Sequence, residues 1–254
     1  MTRCLNAASA CLLAVLGVLV QGPSRAAEIV VLTNLGVVSA VRDLAPAFER
    51  ASGHKVIVSF EVGGALMHKI NANVPADLVT LGPDAIDDLI KQGKVVSRFN
   101  FARAGIGVAV KAGAPRPDIG SAEAFKQSML AAKSIAYSRT GASGLYTAKL
   151  MQRLGIAEQV KDKTKLVDGV PVAELVAKGE VELGMQQINV ILPVAGVDYI
   201  GPLPGELQGY IPFAVGLLTV SKEPEAAQAM IRFMTSSEAA PLIRKSGMEP
   251  PRAE

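Results

Sequence analysis

The chain has 254 residues, with 26 Lys and Arg against 23 Asp and Glu, and half of its residues are apolar. This near balance of charge does not indicate a nucleic acid or an anionic membrane surface as partner. Trp is absent and aromatic residues make up 4% of the chain, which disfavours sugar stacking and single-stranded nucleic-acid binding. The length and the apolar content predict one large domain or two smaller ones around packed cores.

The N-terminal residues have the pattern of a secretory signal peptide. Arg3 precedes an apolar run over residues 12–20, and Gly22-Pro23 follows that run. Small residues before a cut after Ala26 fit the cleavage site of such a peptide. The apolar run is about half the roughly 20 residues that a membrane-spanning helix needs. We therefore expect residues 1–26 to be removed and the mature protein to work in the periplasm.

Both cysteines, Cys4 and Cys11, lie within that N-terminal segment. The mature chain then has 24 basic and 23 acidic residues, a formal charge of +1, and must be stabilised by its core rather than by disulfides. Its two histidines, His54 and His68, are too few for a metal-ligand cluster. A nucleophile elbow and a phosphate-binding loop with its lysine are both missing. We expect no metal and no cofactor.

The first half of the mature chain alternates strands and helices. Apolar runs at residues 28–32, 55–60 and 77–81 predict strands. Apolar residues spaced three and four apart from Val38 predict a helix that Gly53 ends, and shorter helices are predicted over residues 65–72 and 84–92. Repetition of strand, loop and helix predicts a parallel sheet covered by helices.

A second α/β unit is predicted after the Pro- and Gly-rich stretch at residues 112–120. A strand over 105–110 makes the first crossing, and the apolar run 211–220 brings the chain back. Between the crossings we predict strands over 134–137, 165–167 and 181–185 and helices over 121–131, 145–154 and 172–178; helices over 224–234 and 237–245 close the chain. The fold class is therefore α/β, with two α/β lobes of mixed, mainly parallel sheets joined by a two-strand hinge. Residues 27–106 and 215–254 form lobe I, and residues 107–214 form lobe II.

Ligands of open parallel sheets bind outside the carboxyl ends of the strands, and this rule selects five loops. The loops contain Thr33, Asn34 and Leu35; Gly63 and Gly64; Arg139, Thr140, Ala142, Ser143 and Gly144; Val170; and Gln186 and Gln187. Most of these loops lead into a helix, where the first N–H groups and the helix dipole favour negative charge. The sequence therefore predicts a cleft that binds a small anion.

Each loop also has a purely structural interpretation. Thr33 or Asn34 could cap the first helix, and Gly63-Gly64 could be only a turn. Arg139 could be a solvated charge, although the neighbouring hydroxyls and glycines favour contact with a ligand. The paired glutamines could form a surface turn rather than recognise ligand oxygens.

Three motifs carry a resemblance to a known family. They are Leu44-Ala45-Pro46-Ala47-Phe48-Glu49, Pro75-Ala76-Asp77-Leu78 and Gly179-Glu180-Val181-Glu182-Leu183-Gly184. With these motifs, essentially the whole mature chain resembles the two-lobed periplasmic solute-binding proteins of ABC importers, and most closely their molybdate-binding family. The resemblance implies the type II periplasmic binding protein fold and a monomer. It also implies delivery of a small anionic ligand to an ABC permease in the inner membrane.

The ligand positions depart from that family. Molybdate binders present Ser in the first two loops and Tyr after the late strand, where this chain has Thr33-Asn34-Leu35, Gly63-Gly64 and Gln187. Ala142 and Val170 fall where the family uses backbone donors. The resemblance thus implies the fold and the general role but not molybdate. Arg139 and the paired glutamines favour a carboxylate, because Arg recognises carboxylates in bidentate fashion.

The chain also resembles secreted aconitate isomerases, which share this scaffold. That resemblance implies proton transfer along a tricarboxylate, which requires a carboxylate clamp and a base within reach of a carbon acid. Glu61 at the end of the second strand is the first candidate base, and His68 is the second. The alternative for Glu61 is an exposed charge at a strand end. The sequence leaves three functions open: anion binding for import, isomerisation, and a scavenger or sensor subunit that presents its ligand to a receptor rather than to a permease.

Overall fold

The computed structural model of the chain describes residues 26–61 and 64–251. The predicted signal peptide up to residue 25 and the predicted ligand residue Gly63 lie outside the described residues. The strands are Glu28–Asn34 (β1), Lys55–Glu61 (β2), Leu78–Leu81 (β3), Val95–Lys111 (β4), Ile135–Ser138 (β5), Thr164–Val167 (β6), Leu183–Gln187 (β7), Val197–Pro202 (β8) and Tyr210–Leu218 (β9). The α-helices are Val38–Ser52 (α1), Ala65–Asn71 (α2), Pro83–Lys91 (α3), Ala122–Ala131 (α4), Ala142–Arg153 (α5), Ala157–Val160 (α6), Val172–Lys178 (α7), Ile188–Ile191 (α8), Pro224–Met234 (α9) and Ala240–Lys245 (α10).

The strands form two sheets that share β4. Strand order in lobe I is β2-β1-β3-β9-β4, with β1 parallel to β2 and β3, and β9 antiparallel to β3 and β4. In lobe II, β5 runs parallel to β6 and β7, while β4 runs antiparallel to β7 and β8. The predicted α/β fold with mixed sheets is confirmed.

Strand β4 connects the two lobes. It pairs with β9 from Val95 to Gly105 and with β7 and β8 from Ile106 onward. The C-terminal segment joins this region, since Arg103 and Glu249 pair through their backbones in both directions at 2.8 Å and their side chains form an ion pair. The Arg103 guanidinium also lies 4.1 Å from the centre of the Tyr210 ring. The lobe boundaries near residues 106 and 214 stay a prediction.

Helix α1 shows how the hydrophobic pattern determines the packing of lobe I. Its apolar residues from Val38 to Phe48 recur at helical spacing and are buried against the sheet and against α9. Gly53 ends the helix at φ 76°, a left-handed conformation that favours glycine, and its N–H donates to the Glu49 carbonyl.

Asp77, which begins the third predicted strand, is a buried structural residue of lobe I. One carboxylate oxygen accepts a hydrogen bond from the N–H of Val30 at 2.9 Å. The other accepts from the Ser221 hydroxyl and from the N–H groups of Lys222 and Glu223 at 2.7–3.2 Å. This one side chain therefore fixes strand β1 and the start of helix α9 to the centre of the sheet.

The predicted elements of the first half differ from the structure by no more than two residues at either end. The second half contains the errors. The predicted strand 105–110 corresponds to only the last third of β4. The earlier part of β4 was not predicted, because it contains exposed polar residues. Helix α5 begins at Ala142 rather than at residue 145, and β8, α6 and α8 were not predicted. Across the described part of the chain, no helix is long and apolar enough to cross a membrane.

Candidate functional site

A cavity of about 570 Å³ lies where the carboxyl ends of the strands of both lobes meet. Lobe I lines it with Asn34, Leu35, Gly36, Glu61, Gly64 and Gly82. Lobe II lines it with Ser138, Thr140, Gly141, Ala142, Ser143, Gly169, Val170, Gln186 and Gln187. Ile211 and Phe213 of β9 form the floor. Its volume is within the range of small-molecule binding sites.

The loop after β1 is the first part of the lobe I wall. Asn34 closes a local turn, because its side-chain oxygen accepts the N–H of Gly36 at 3.0 Å. Helix α1 begins at Val38, and the residue in its N-cap position, Val37, makes no side-chain capping bond. The capping alternative for Thr33 and Asn34 is therefore wrong. Thr33 is fully buried, accepts a hydrogen bond from the Thr80 hydroxyl at 2.8 Å and does not line the cavity.

Glu61 places a carboxylate in the lobe I wall. Its side chain is 17% exposed and forms an ion pair with Lys69 of helix α2. Ser59 donates to the same carboxylate oxygen at 3.3 Å, and Lys69 donates to Ser59 at 3.4 Å. The hydrogen bond from the Lys69 ammonium holds the pKa of the Glu61 carboxyl below its ordinary value, against a smaller opposing effect of burial. Glu61 is therefore ionised at neutral pH.

The other candidate base, His68, is exposed on helix α2 and is not among the residues that line the cavity. Gly64, the residue before α2, does line it. The structure thus brings only one of the two candidate bases to the cleft.

The start of helix α5 forms the centre of the lobe II wall. Gly141 precedes the helix, and its N–H donates to the Ser138 hydroxyl at 2.9 Å. The N–H groups of Gly144 and Leu145 bond back to the Gly141 carbonyl. The N–H groups of Ala142 and Ser143 precede these bonds and, by helix geometry, point out of the helix start. Together with the dipole of a 12-residue helix they favour an anion in the cavity.

Gly144 is a packing residue and does not line the cavity. A Cβ at this position would lie 1.7 Å from the Ser138 carbonyl oxygen. The glycine therefore lets the first turn of α5 lie directly on the end of β5, which aims the helix start at the cleft.

Arg139 is placed differently from the sequence expectation. Its Nε lies 2.9 Å from the Asp168 carboxylate, its side chain is 57% exposed, and it does not line the cavity. Thr140, which does line the cavity, also donates to Asp168 at 3.1 Å. The Arg139–Asp168 pair thus ties together the loops after β5 and β6 outside the cleft.

The paired glutamines end strand β7 rather than follow it. Both are buried, with 5% exposure, which excludes the surface-turn alternative. Gln186 accepts the N–H of Val172 at 2.8 Å and so satisfies the first turn of helix α7. Gln187 reaches toward lobe I, because its side-chain oxygen lies 3.2 Å from the position that a Cβ on Gly36 would occupy.

Asn189 joins the two lobes beside the cavity. Its side-chain amide donates to the Gly36 carbonyl at 3.0 Å and to the Ser39 hydroxyl at 3.1 Å. Phe213 closes the same corner, since a Cβ on Gly36 would lie 2.8 Å from its ring. Glycine at position 36 therefore permits the close approach of the first loop to β9 and β7.

Sequence reasoning missed several residues that line the cavity. Gly36, Ser138, Gly141 and Gly169 lie in loops that the carboxyl-end rule had selected, and Gly82 follows β3 and could have been found by the same rule. Ile211 and Phe213 carry no such signal, because they are apolar residues of an apolar strand. Over residues 26–61 and 64–251, no group of three His, Cys, Asp or Glu side chains could hold a metal ion.

The fold and the cleft are those of a two-lobed solute-binding protein. Residues 29–249 match the model of the bacterial extracellular solute-binding protein family, and the chain belongs to this family. An aconitate isomerase of a Pseudomonas species is 34% identical over 232 residues, which cover 88% of each chain. The molybdate-binding protein ModA of Azotobacter vinelandii is 28% identical over 88% of this chain and 90% of its own.

The solved structures agree on the fold. The periplasmic molybdate-binding protein of Azotobacter vinelandii superposes with a TM-score of 0.73 at 20% identity, covering 89% of this chain and 100% of that one. The family implies a small anionic ligand and an ABC transporter as partner, as the sequence resemblance implied.

Proposed function

We propose that the protein is an exported, monomeric periplasmic receptor that closes on a small organic carboxylate and delivers it to an ABC permease. In this proposal the chain is cleaved near Ala26, and lobe I (residues 27–106 and 215–254) and lobe II (residues 107–214) rotate about β4 and the return to β9. The ligand residues are those of the residues predicted from the sequence that line the cavity: Asn34, Leu35, Gly64, Thr140, Ala142, Ser143, Val170, Gln186 and Gln187. Gly36 and Phe213, which also line it, are added.

The supporting observation is the combination of anion-favouring and apolar surface in one cavity. The first turn of α5 offers N–H groups and a positive dipole end. Leu35, Val170, Ile211 and Phe213 present hydrocarbon to the same space. A tetrahedral oxyanion has no carbon atoms to bury against these four side chains, whereas the skeleton of a di- or tricarboxylate does.

Thermal unfolding of residues 27–254 with a panel of anions tests this proposal. The panel contains citrate, tricarballylate, malate, molybdate and sulfate. We expect a di- or tricarboxylate to stabilise the protein, since ligand at 100 times its Kd adds about 2.7 kcal/mol. Stabilisation by molybdate or sulfate alone would contradict a carboxylate ligand, and no response to any anion would contradict the receptor function.

A second candidate function is isomerisation of aconitate on the same scaffold. The specific observation in its favour is Glu61, an ionised carboxylate in the cavity wall of a chain that is 34% identical to an aconitate isomerase. A carboxylate base beside a bound tricarboxylate removes a proton from the methylene carbon and, in its protonated form, returns that proton to the former vinyl carbon as the double bond shifts.

The vinyl proton of trans-aconitate, followed by NMR, distinguishes the two functions. Conversion to the cis isomer by the wild-type protein, lost in Glu61→Gln, would support an isomerase with Glu61 as base. Glu158→Gln is the control, because Glu158 forms an exposed pair with Lys161 on the surface. Binding of aconitate without conversion would favour the receptor.

A further inference from the structure

The cavity of a proposed anion receptor has an unexpected charge. Among its described lining residues, Glu61 carries the only formal charge, and that charge is negative. An anion that enters beside an ionised carboxylate is repelled, and the low dielectric of a cleft strengthens that repulsion. The site therefore needs a cation within reach of the bound ligand.

Lys69 is placed to supply it. Its ammonium contacts the Glu61 carboxylate, and only that carboxylate separates it from the cavity. It is 36% exposed, and its flexible four-carbon stem allows the ammonium to move. Arg139, whose neighbour Thr140 lines the cavity, is paired with Asp168 and does not line the cavity itself.

We propose that Lys69 is the counter-charge of the bound anion and that Glu61 holds it at the cleft wall until the ligand arrives. The inference rests on the proposed anion-binding function. When an anion enters, it takes the ammonium from Glu61, and the carboxylate keeps its hydrogen bond from Ser59. Lys69 is thus a ligand-binding residue that selects ligands with negative charge on the lobe I side.

The arrangement gives opposite effects to the two partners. Removing the cation by Lys69→Met leaves Glu61 facing the ligand and should weaken anion binding about tenfold or more. Removing the competing carboxylate by Glu61→Gln should strengthen it several-fold. A merely structural ion pair would give both variants the same small effect.

Calorimetric titration of the wild type, Lys69→Met, Glu61→Gln and Lys161→Met tests the inference with citrate and molybdate as probes. Lys161→Met is the matched control, since it breaks an exposed pair with Glu158.

Weaker binding in Lys69→Met with tighter binding in Glu61→Gln supports the inference, whichever probe binds. If citrate binds to the wild type and equally tightly to Lys69→Met, the inference about Lys69 fails and the carboxylate proposal stands. If only molybdate binds, the carboxylate proposal fails, and the Lys69 effect on molybdate still decides the inference. If the wild type binds neither probe, both fail.

Discussion

The two walls of the cleft handle charge in opposite ways. Lobe I keeps an ion pair, Glu61–Lys69, at the cavity surface. Lobe II directs its ion pair, Arg139–Asp168, away from the cavity and presents the neutral start of helix α5 and the amide of Gln187. In the proposed function, one wall recognises the anion through backbone dipoles while the other adjusts the net charge that the ligand meets.

The largest effect is expected where the lobe II wall depends on backbone contact. Gly144→Val would place side-chain atoms on the Ser138 carbonyl, 1.7 Å from the new Cβ. We expect a loss of about 3 kcal/mol or more in the free energy of unfolding, measured by urea denaturation. Gly205→Ala is the control, because a Cβ there meets nothing within 4 Å. An equal, small loss in both variants would show that α5 is not pressed against β5.

The corresponding point of lobe I is Asp77. Asp77→Ala leaves the N–H groups of Val30, Lys222 and Glu223 without their buried acceptor. We expect a loss of about 3 kcal/mol in the free energy of unfolding. Chemical denaturation of the variant and the wild type measures this loss. Asp118→Ala removes an exposed acceptor from Gly120 and should cost far less. A cost no larger than that of Asp118→Ala would contradict the structural role of Asp77.

A carboxylate introduced into the neutral wall of lobe II should weaken anion binding, because both walls would then carry a negative charge. Gln187→Glu adds a carboxylate to a side chain that is 5% exposed and lines the cavity. We expect anion affinity to fall at least about tenfold, or about 1.4 kcal/mol, in calorimetric titration. Gln152→Glu, at an exposed position of α5, should leave the affinity unchanged, and equal losses in the two variants would contradict the assignment.

The charged wall can be tested by titration. Because the folded pKa of Glu61 is lowered by Lys69, the pair stabilises the protein above the unfolded pKa, and this stabilisation is lost as the pH falls below 4.5 through the folded value. We expect the carboxyl carbon of Glu61 to titrate below pH 4.5 in NMR spectra, and Lys69→Met to bring the midpoint back toward 4.5. An unchanged midpoint in that variant would contradict the pairing in solution.

The smallest effect is expected for the exposed pair of lobe II. Arg139→Gln should change stability by less than about 0.5 kcal/mol, because exposed ion pairs contribute little, and should leave anion affinity within about twofold. Calorimetry measures both. A tenfold fall in affinity would instead make Arg139 the ligand contact that the sequence predicted and would give both walls a cation.

The first half of the fold was predictable because its signals are local. Gly53, Gly93 and Pro83 mark helix ends and starts, and each apolar run corresponds to one strand. The first part of β4 was missed because its exposed polar residues, among them Arg98 and Asn100, hide the strand. Its pairing with β9, more than one hundred residues later, supplies the stability that the local sequence does not show.

The candidate site was predictable as loops but not as side chains. The carboxyl-end rule located the loops that line the cavity, since the topology of the sheet alone determines where those loops lie. The partners of the charged side chains could not be found in this way. Arg139 pairs with Asp168 and Glu61 pairs with Lys69, and no sequence pattern relates the two members of either pair. Thr33 does not line the cavity for the same reason, because it accepts a hydrogen bond from Thr80 of a neighbouring strand.

The pairing of Glu249 with Arg103 has a consequence for proteolysis. Arg103 lies in the strand that pairs with sheets of both lobes, and Glu249 follows helix α10. The bonds between these two residues therefore attach the C-terminal segment to the shared strand. A protease that cuts between α10 and Glu249 would leave every residue that lines the cavity in place and would remove only this brace.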